Sequence, residues 1–580
     1  MTPTAPPLAR SQLGIVTSVK GSTARAGLFH TQLRVSELSA TVGRFVAIRF
    51  PDTTIVAITT EVVSESGDTG RFIATASVDL LGEITQSQAG PRFRRGVTAY
   101  PTIGDPVDFI GADELRAIYA PGGKSEDYIN IGNLQQDTSV TTYVDVEEML
   151  SKHFAVLGST GVGKSSAVSL LLNEILRTRP NLRLFLIDVH NEYARCFGNR
   201  ALVLSPRNLR LPFWLFNFEE FVDVVFGGRP GVPEEVDILA EVIPVAKSLY
   251  NQYQASDRLN LRRPETRTGG FALDTPVPYR LQDLLGLIDE RMGRLENRTS
   301  RIVYHKLIGR IETVRNDPRY AFMFDNANVG GDTMVEVISH LFRLPAQGRP
   351  MTIMQLAGFP SEVVDSVVSV LCRMAFDFGI WSDGVSPLLF VCEEAHRYAS
   401  GDRSVGFGPT RKAISRIAKE GRKYGIYLGL VTQRPAELDA TILSQCNTLF
   451  TMRLANDRDQ AIVRSAVPDA AANLLSFIPS LGTREVLAFG EGVALPTRLR
   501  FKEIPPEQRP RSEANIGTNP TPQHHDNHFV AATIERWRNA TSSRPASASE
   551  GEPRNLEAPT LQPAMGLDPD RFQLLKKPLR

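Results

Sequence analysis

Phe154-Ala155-Val156-Leu157-Gly158-Ser159-Thr160-Gly161-Val162-Gly163-Lys164-Ser165 is the stretch that decides the fold. Its apolar opening reads as a buried strand, the remainder matches GxxxxGK[ST] in full, and the run Ser166–Arg177 reads as a helix. Strand, glycine loop and helix in that order are the context in which this pattern binds phosphate. Glycines let the backbone curl so that several N–H groups converge on a phosphate, and the helix N-terminus adds partial positive charge. On this reading Gly158, Ser159, Thr160, Gly161, Val162, Gly163, Lys164, Ser165 and Ser166 hold ATP. Lys164 reaches the β- and γ-phosphates, and Ser165 ligates Mg²⁺ through its hydroxyl.

A Mg²⁺–ATP site also needs a carboxylate at the end of a neighbouring buried strand. Leu388-Leu389-Phe390-Val391-Cys392-Glu393-Glu394 supplies an apolar run that ends in two acids. Glu393 stands where the metal-associated acid lies, and Glu394 where a general base polarises the attacking water. The alternative is that both acids cap the helix that follows, since carboxylates favour helix N-termini. Gln433 closes another apolar run, Ile426–Thr432, where its side chain can report on the γ-phosphate. The segment 411–424, RKAISRIAKEGRKY, sets Arg411, Lys412, Arg416, Lys419, Arg422 and Lys423 against the single acid Glu420. It reads as a solvated helical face, as an arginine finger for a neighbour's ATP, or as a strip for a polyanion.

Outward from the loop, apolar runs at Leu184–Asp188, Thr352–Gln355 and Thr448–Leu454 complete a set of strands that alternate with helices, the pattern of a parallel α/β sheet. Between Leu184–Asp188 and Thr352–Gln355 lies a helical insertion, roughly 213–335. Leu281, Leu284, Leu285, Ile288, Met292 and Leu295 repeat at helical spacing, and Val303, Leu307, Ile311 and Val314 continue on a second segment. Upstream, the runs Leu13–Val19, Phe45–Phe50, Ile55–Val63 and Phe72–Leu80, set off by Gly21, Gly43, Pro51, Gly67 and Gly70, predict a small barrel or sandwich. The segment 120–137 reads as a connector. Past residue 503 the chain turns Pro-, Asn- and His-rich. Phe529, Val530, Ile534 and Trp537 then predict one short helix, and the low-complexity stretch from Thr541 predicts disorder.

Composition narrows the class. At 580 residues the chain is long enough for several domains, and 42% hydrophobic with 22% charged residues is ordinary for a globular core. A net charge of +1 argues against an overall basic coat but permits a local basic lining. Cys196, Cys372, Cys392 and Cys446 show no CxxC pair and read as reduced thiols. The first residues lack the apolar run of a signal peptide. No stretch reaches the roughly 18 uninterrupted apolar residues of a membrane span. A cytoplasmic protein without membrane attachment is the expectation.

With these residues in hand, the chain resembles the HerA family of the HerA/FtsK branch of P-loop motors. The resemblance runs to about residue 503. SKHFAVLGSTGVGKSS, LFLIDVHNEYA, LLFVCEEAHRYA and EGRKYGIYLGLVTQRPAELDATILSQCNTLFTMRLANDRD look like its motifs, the last being the most specific. It implies an α/β fold: a RecA-like core over 121–212 and 336–503, a small HAS-type β-barrel over 1–120, a helical bundle inserted at 213–335, and a tail over 504–580 that is partly disordered or braces a neighbouring subunit. It further implies a homo-hexameric ring with ATP between subunits and double-stranded DNA in the central channel. In that ring Glu394 would be the catalytic acid, and Arg422, in GRKYG, would reach the adjacent subunit's site. Asp188, His190 and Glu192 match a motif whose usual form is closer to Asp-Pro-His-Gly-Glu-Tyr. Val189 replaces the proline and Asn191 the glycine, so these positions carry over as site neighbours only.

The family also implies a separate effector, a nuclease or a sirtuin-type NAD-consuming enzyme, in DNA-end processing or antiviral defence. Nothing in the chain resembles either, so such an activity would belong to a partner, expected to dock on the barrel. A hexameric scaffold that uses ATP as a switch needs the same site and stays open. A conjugative or secretion ATPase, which implies membrane docking, is weakened by the missing span.

Overall fold

Small side chains and bulges close the first sheet into a barrel. The computed structural model describes residues 12–29, 41–66, 72–87, 90–257, 270–294, 298–325, 331–467, 469–511, 530–535 and 538. Its first strands are β1 (Gln12–Lys20), β2 (Thr23–Leu28), β3 (Phe45–Arg49), β4 (Thr53–Ser66), β5 (Phe72–Ser87), β6 (Gly90–Arg95) and β7 (Pro106–Phe109). They pair in the order β2-β1-β7-β3-β4-β5, and β2 pairs back onto β5, so the ring is closed with β6 hydrogen-bonded outside it. Register shifts at Val56/Ala57 and Thr59/Glu61 bend the long β4–β5 ribbon around a narrow interior. Ala24, Ala26, Ala57, Ile48, Ile55 and Val78 fill that interior.

The second sheet contains β8 (Tyr128–Leu134), β9 (Thr141–Asp145), β10 (Phe154–Leu157), β11 (Arg183–Asp188), β12 (Ala201–Leu204), β13 (Met351–Gln355), β14 (Leu388–Cys392), β15 (Ile426–Thr432), β16 (Thr448–Thr451), β17 (Glu485–Phe489) and β18 (Thr497–Phe501). The order is β12-β13-β11-β14-β15-β10-β16-β17-β18-β8-β9. The strands from β12 to β16 are parallel, and those beyond β16 pair antiparallel. Both faces are covered, which is why the parallel strands read as unbroken apolar runs. Alternate side chains serve opposite layers: Ala155, Leu157, Phe390 and Cys392 enter one core, and Phe154, Val156, Leu389 and Val391 the other.

Two sequence expectations change here. The supposed connector 120–137 contains β8, because Ile129 and Ile131 alternate into one core layer and Leu134 is buried in the other. The run Thr448–Leu454 leaves the sheet at Thr451. Beyond it the backbone wraps the glycine loop, with Met452 N donating to Leu157 O at 2.8 Å and Ser159 N donating to Arg453 O at 2.9 Å.

Between β12 and β13 the chain is helical, including Phe218–Phe226, Pro233–Asp257, Leu281–Gly293, Arg298–Asn316 and Met334–Phe342. Leu284, Ile288, Leu307 and Ile311 of the expected stripes are buried, whereas Leu295 lies outside the described residues. The barrel packs on the core: Arg95 donates to Gly490 O at 2.7 Å and Ala494 O at 2.8 Å, and Asn473 donates to Asp79 at 2.9 Å. Residues 504–511 do not leave the surface. Ser169 Oγ donates to Gln508 O at 2.7 Å, and Arg511 N to Glu192 O at 3.1 Å. Residues 530–535 are helical, while Phe529, Trp537 and the stretch from Thr541 lie outside the described residues. The four cysteines are buried and free. No helix among the described residues is long and apolar enough to cross a membrane.

Candidate functional site

The glycine loop connects β10 to the helix Lys164–Thr178 at the C-terminal end of the parallel strands. Gly161 and Gly163 have φ of 78° and 102°, a region closed to most residues with a β-carbon. A β-carbon on Gly158 would lie 2.9 Å from Cβ of Met452. Among the described residues, nothing accepts from the N–H groups of Gly161, Gly163, Lys164 or Ser165. A row of unused donors at a helix N-terminus fits a polyphosphate.

Lys164 Nζ donates to Ser159 O at 3.2 Å, back across the loop. Burial pushes its pKa down, and the nearby Glu394, Glu393 and Glu192 oppose that shift. Thr160 Oγ1 donates to Gln433 Oε1 at 2.5 Å, so the residue that closes β15 touches the loop that closes β10. Loop, lysine and glutamine therefore meet at one end of the sheet.

The paired acids follow β14 on the same end. Glu393 is buried, accepting from Tyr193 OH at 3.1 Å and from Val189 N at 3.3 Å. Burial, with Asp188 and Glu192 close by, pushes its pKa up to about 8. Asp188 is fully buried and accepts from the N–H groups of Glu192 and Tyr193, both at 3.1 Å. Burial raises it to about 6 against those bonds. So concentrated a set of carboxylates needs a cation to ionise fully. No group of three His, Cys, Asp or Glu among the described residues forms a cage for one. Mg²⁺ is held by few protein ligands together with phosphates and water.

Glu394 has φ of 48°, a left-handed conformation that a glutamate adopts under constraint. It makes no capping bond to the short turn Ala395–Arg397, which removes the capping alternative for this acid. His396 Nδ1 stands 3.3 Å from Oε2 and His190 Nε2 3.7 Å from Oε1. Glu394 Oε2 is buried without a hydrogen-bond donor among the described residues. Such an acceptor can take a proton from a water held beside it.

The departures from the Asp-Pro-His-Gly-Glu-Tyr pattern acquire a reason. Asn191 holds φ of 55°, and asparagine tolerates the left-handed region better than most residues other than glycine. Val189 provides the N–H that reaches Glu393, a donor that proline lacks. His190 and Glu192 flank the acids, and Asp188 shapes the turn beneath them. Sequence reasoning passed over Tyr193, His396 and Thr432. Thr432 Oγ1 lies 3.0 Å from His396 Nδ1 and accepts from Arg434 N at 3.0 Å, linking the acid strand to β15. The adjacency of His396 to two acids was the available signal.

Arg422 does not join this group. It is exposed in the turn Gly421–Tyr424, which precedes β15. β15 runs parallel to β10, with Leu157 opposite Thr432. At about 3.3 Å per residue, the rise from Ile426 to Thr432 puts Arg422 about 20 Å from the loop of its own chain. The rest of the basic segment divides. Arg411 donates to Asp402 O at 3.4 Å, Lys412 lies 3.8 Å from Glu219, and Arg416 sits 3.7 Å from Asp377 and over the Phe376 ring. Arg422 and Lys423 make no ion pair among the described residues.

Sequence comparisons with known proteins agree on the class. A family model described as "Helicase HerA, central domain" matches residues 129–375. The chain is 27% identical to the DNA double-strand break repair helicase HerA of Pyrococcus furiosus, over 77% of this chain and 81% of that protein. It is 26% identical to the protein of the same name from Sulfolobus acidocaldarius, over 70% and 74%. Among solved structures it is similar to VirB4 of Thermoanaerobacter pseudethanolicus, with 14% identity, a TM-score of 0.45, and coverage of 67% and 100%.

Proposed function

This chain belongs to the HerA helicase family of ATPases, and from that premise we propose that it is a hexameric, ATP-driven translocase of double-stranded DNA serving a separate effector. The observation that carries the ring is the distance between Arg422 and its own glycine loop. An arginine at the far end of the sheet serves no nucleotide in its own chain, but head-to-tail packing brings it to the next subunit's nucleotide. In the proposed assignment the loop N–H groups and Lys164 hold the phosphates. Ser165 and Glu393 hold Mg²⁺, which would draw the raised pKa of Glu393 back down and neutralise phosphate charge. Glu394 takes the proton of the attacking water, and Gln433 senses the γ-phosphate through its contact with Thr160.

The test is ATP turnover by the full-length chain with and without duplex DNA. Translocation predicts faster turnover with DNA and displacement of a strand or roadblock. Unchanged turnover and no displacement would favour the alternative, a ring that assembles an effector and uses ATP as a switch.

The effector, a nuclease or a sirtuin-type NADase in DNA-end processing or antiviral defence, is proposed to dock on the barrel. The core must use its faces for subunit contacts and DNA, while the barrel presents Tyr100 and Ile103, 56% and 76% exposed, just ahead of β7. Tyr100→Ala with Ile103→Asp is expected to leave oligomer size and ATP turnover unchanged and to lose co-purification of the effector. Full recovery of the effector by this variant would move the docking surface elsewhere.

A further inference from the structure

A cavity of about 240 Å³ opens beside the glycine loop, on the side away from the acids. Its walls are Gly163, Ser166 and Leu170 from the loop and first helical turns, Arg484 from the turn before β17, and Phe501 and Ile504 from the strap that follows β18. Lys164, Glu393, Glu394 and Gln433 take no part in it. A triphosphate in such a loop runs in a fixed direction. Its γ end lies at the lysine and the acids, and its α end leaves past the residues that follow the GK[ST] pair. Ser166 is that residue, and the cavity begins at it.

The position of Arg484 is built with care. Its φ is 65°, a left-handed conformation unusual for arginine. Two backbone bonds hold it there: Arg484 N donates to Val162 O at 3.1 Å, and Phe501 N donates to Arg484 O at 3.0 Å. The first ties this residue directly to the phosphate loop. Its Nη1 lies 3.3 Å from Glu503 Oε1, and the same carboxylate oxygen lies 3.8 Å from Arg509 Nη2. A planar guanidinium over a slot with apolar walls suits the face of a heteroaromatic ring. A carboxylate at the rim suits sugar hydroxyls, which donate hydrogen bonds.

We propose that this cavity receives the base and ribose of the bound nucleotide, with Arg484 stacked on the base and residues 501–509 forming the outer wall. The proposal rests on the assignment of the glycine loop to ATP. It makes the strap beyond β18 part of the nucleotide site.

The test measures binding of two ligands to the full chain with Mg²⁺: ATP, and inorganic tripolyphosphate, which has no nucleoside. Arg484→Gly removes the side chain while suiting the positive φ, so the fold is retained. Ile504→Trp fills the cavity from the opposite wall. Arg484→Gly is expected to weaken ATP about 3- to 30-fold, the range of a lost cation–π contact, and Ile504→Trp to weaken it by occupying the cavity; both should leave tripolyphosphate unchanged and raise KM with kcat retained. Lys164→Ala should weaken both ligands. If the two cavity variants weaken both ligands alike, or neither, the cavity is not the nucleoside pocket, though the loop still stands. If Lys164→Ala alters neither ligand, the ATP assignment itself fails.

Discussion

Lys164→Ala is expected to abolish ATP hydrolysis and to weaken nucleotide binding strongly, whereas Glu394→Gln should bind ATP normally and fail to turn it over. The lysine is the loop's only cation, and its neighbours are acids: Glu394, Glu393 and Glu192 all act on its charge. Without it a polyphosphate would meet that carboxylate cluster uncompensated, so the loss exceeds the roughly 1.5–3 kcal/mol of one charged hydrogen bond. Glu394 differs because its Oε2 has no hydrogen-bond donor among the described residues, while His396 stands 3.3 Å from that oxygen and His190 3.7 Å from Oε1. A glutamine there keeps the shape and loses the basicity, at about 10²–10⁴ in rate. Titration with a fluorescent ATP analogue alongside steady-state turnover separates the two effects. Comparable loss of affinity in both variants would sink the assignment of Glu394 as the base.

How much of this was legible in the sequence depends on what kind of contact fixes each piece. The strands Phe154–Leu157, Leu388–Cys392 and Ile426–Thr432 could be read to the residue, because a parallel strand buried on both faces has no polar positions to blur its ends. The antiparallel flank was far less legible. β17, β18 and β8 carry exposed or half-exposed residues such as Glu485, Arg498 and Asn133, so their apolar signal is diluted. Among the candidate site residues, the loop and the two acids stand out because they are close in sequence and chemically distinctive. Tyr193, Thr432 and Arg484 act through contacts with residues far away in the chain, and no local pattern marks them. Asn191 and Val189 looked like departures from a motif. Only the backbone angle at one and the hydrogen bond at the other show what each substitution accomplishes.

Arg422→Ala is expected to nearly silence ATP turnover without affecting the fold, and its deficit should be repairable by a different inactive subunit. The side chain is exposed, lies outside both cores and belongs to the turn at the opposite end of β15 from its own loop, so its removal leaves no buried gap. The end of the sheet that carries it also presents Trp381 and Val385, 86% and 81% exposed, on the turn that packs beside Tyr424. An apolar anchor beside an arginine that makes no ion pair among the described residues suits a surface that another copy of the chain covers. Where arginine fingers have been measured in GTPases they contribute about 10³–10⁵ in rate. A ring built head to tail has one site per interface, with the loop and Glu394 from one subunit and Arg422 from the next. Mixing Arg422→Ala with Glu394→Gln therefore restores about one competent interface in four when subunits assort at random, since the first variant keeps its base and the second its arginine. Two inactive proteins should then yield measurable turnover that depends on the mixing ratio and vanishes at either extreme. Subunit exchange must be verified by mass or by a tag on one variant. Rings that contain both variants and remain inactive would place Arg422 outside the neighbour's site, leaving the turn Gly421–Tyr424 as a structural end to β15 alone.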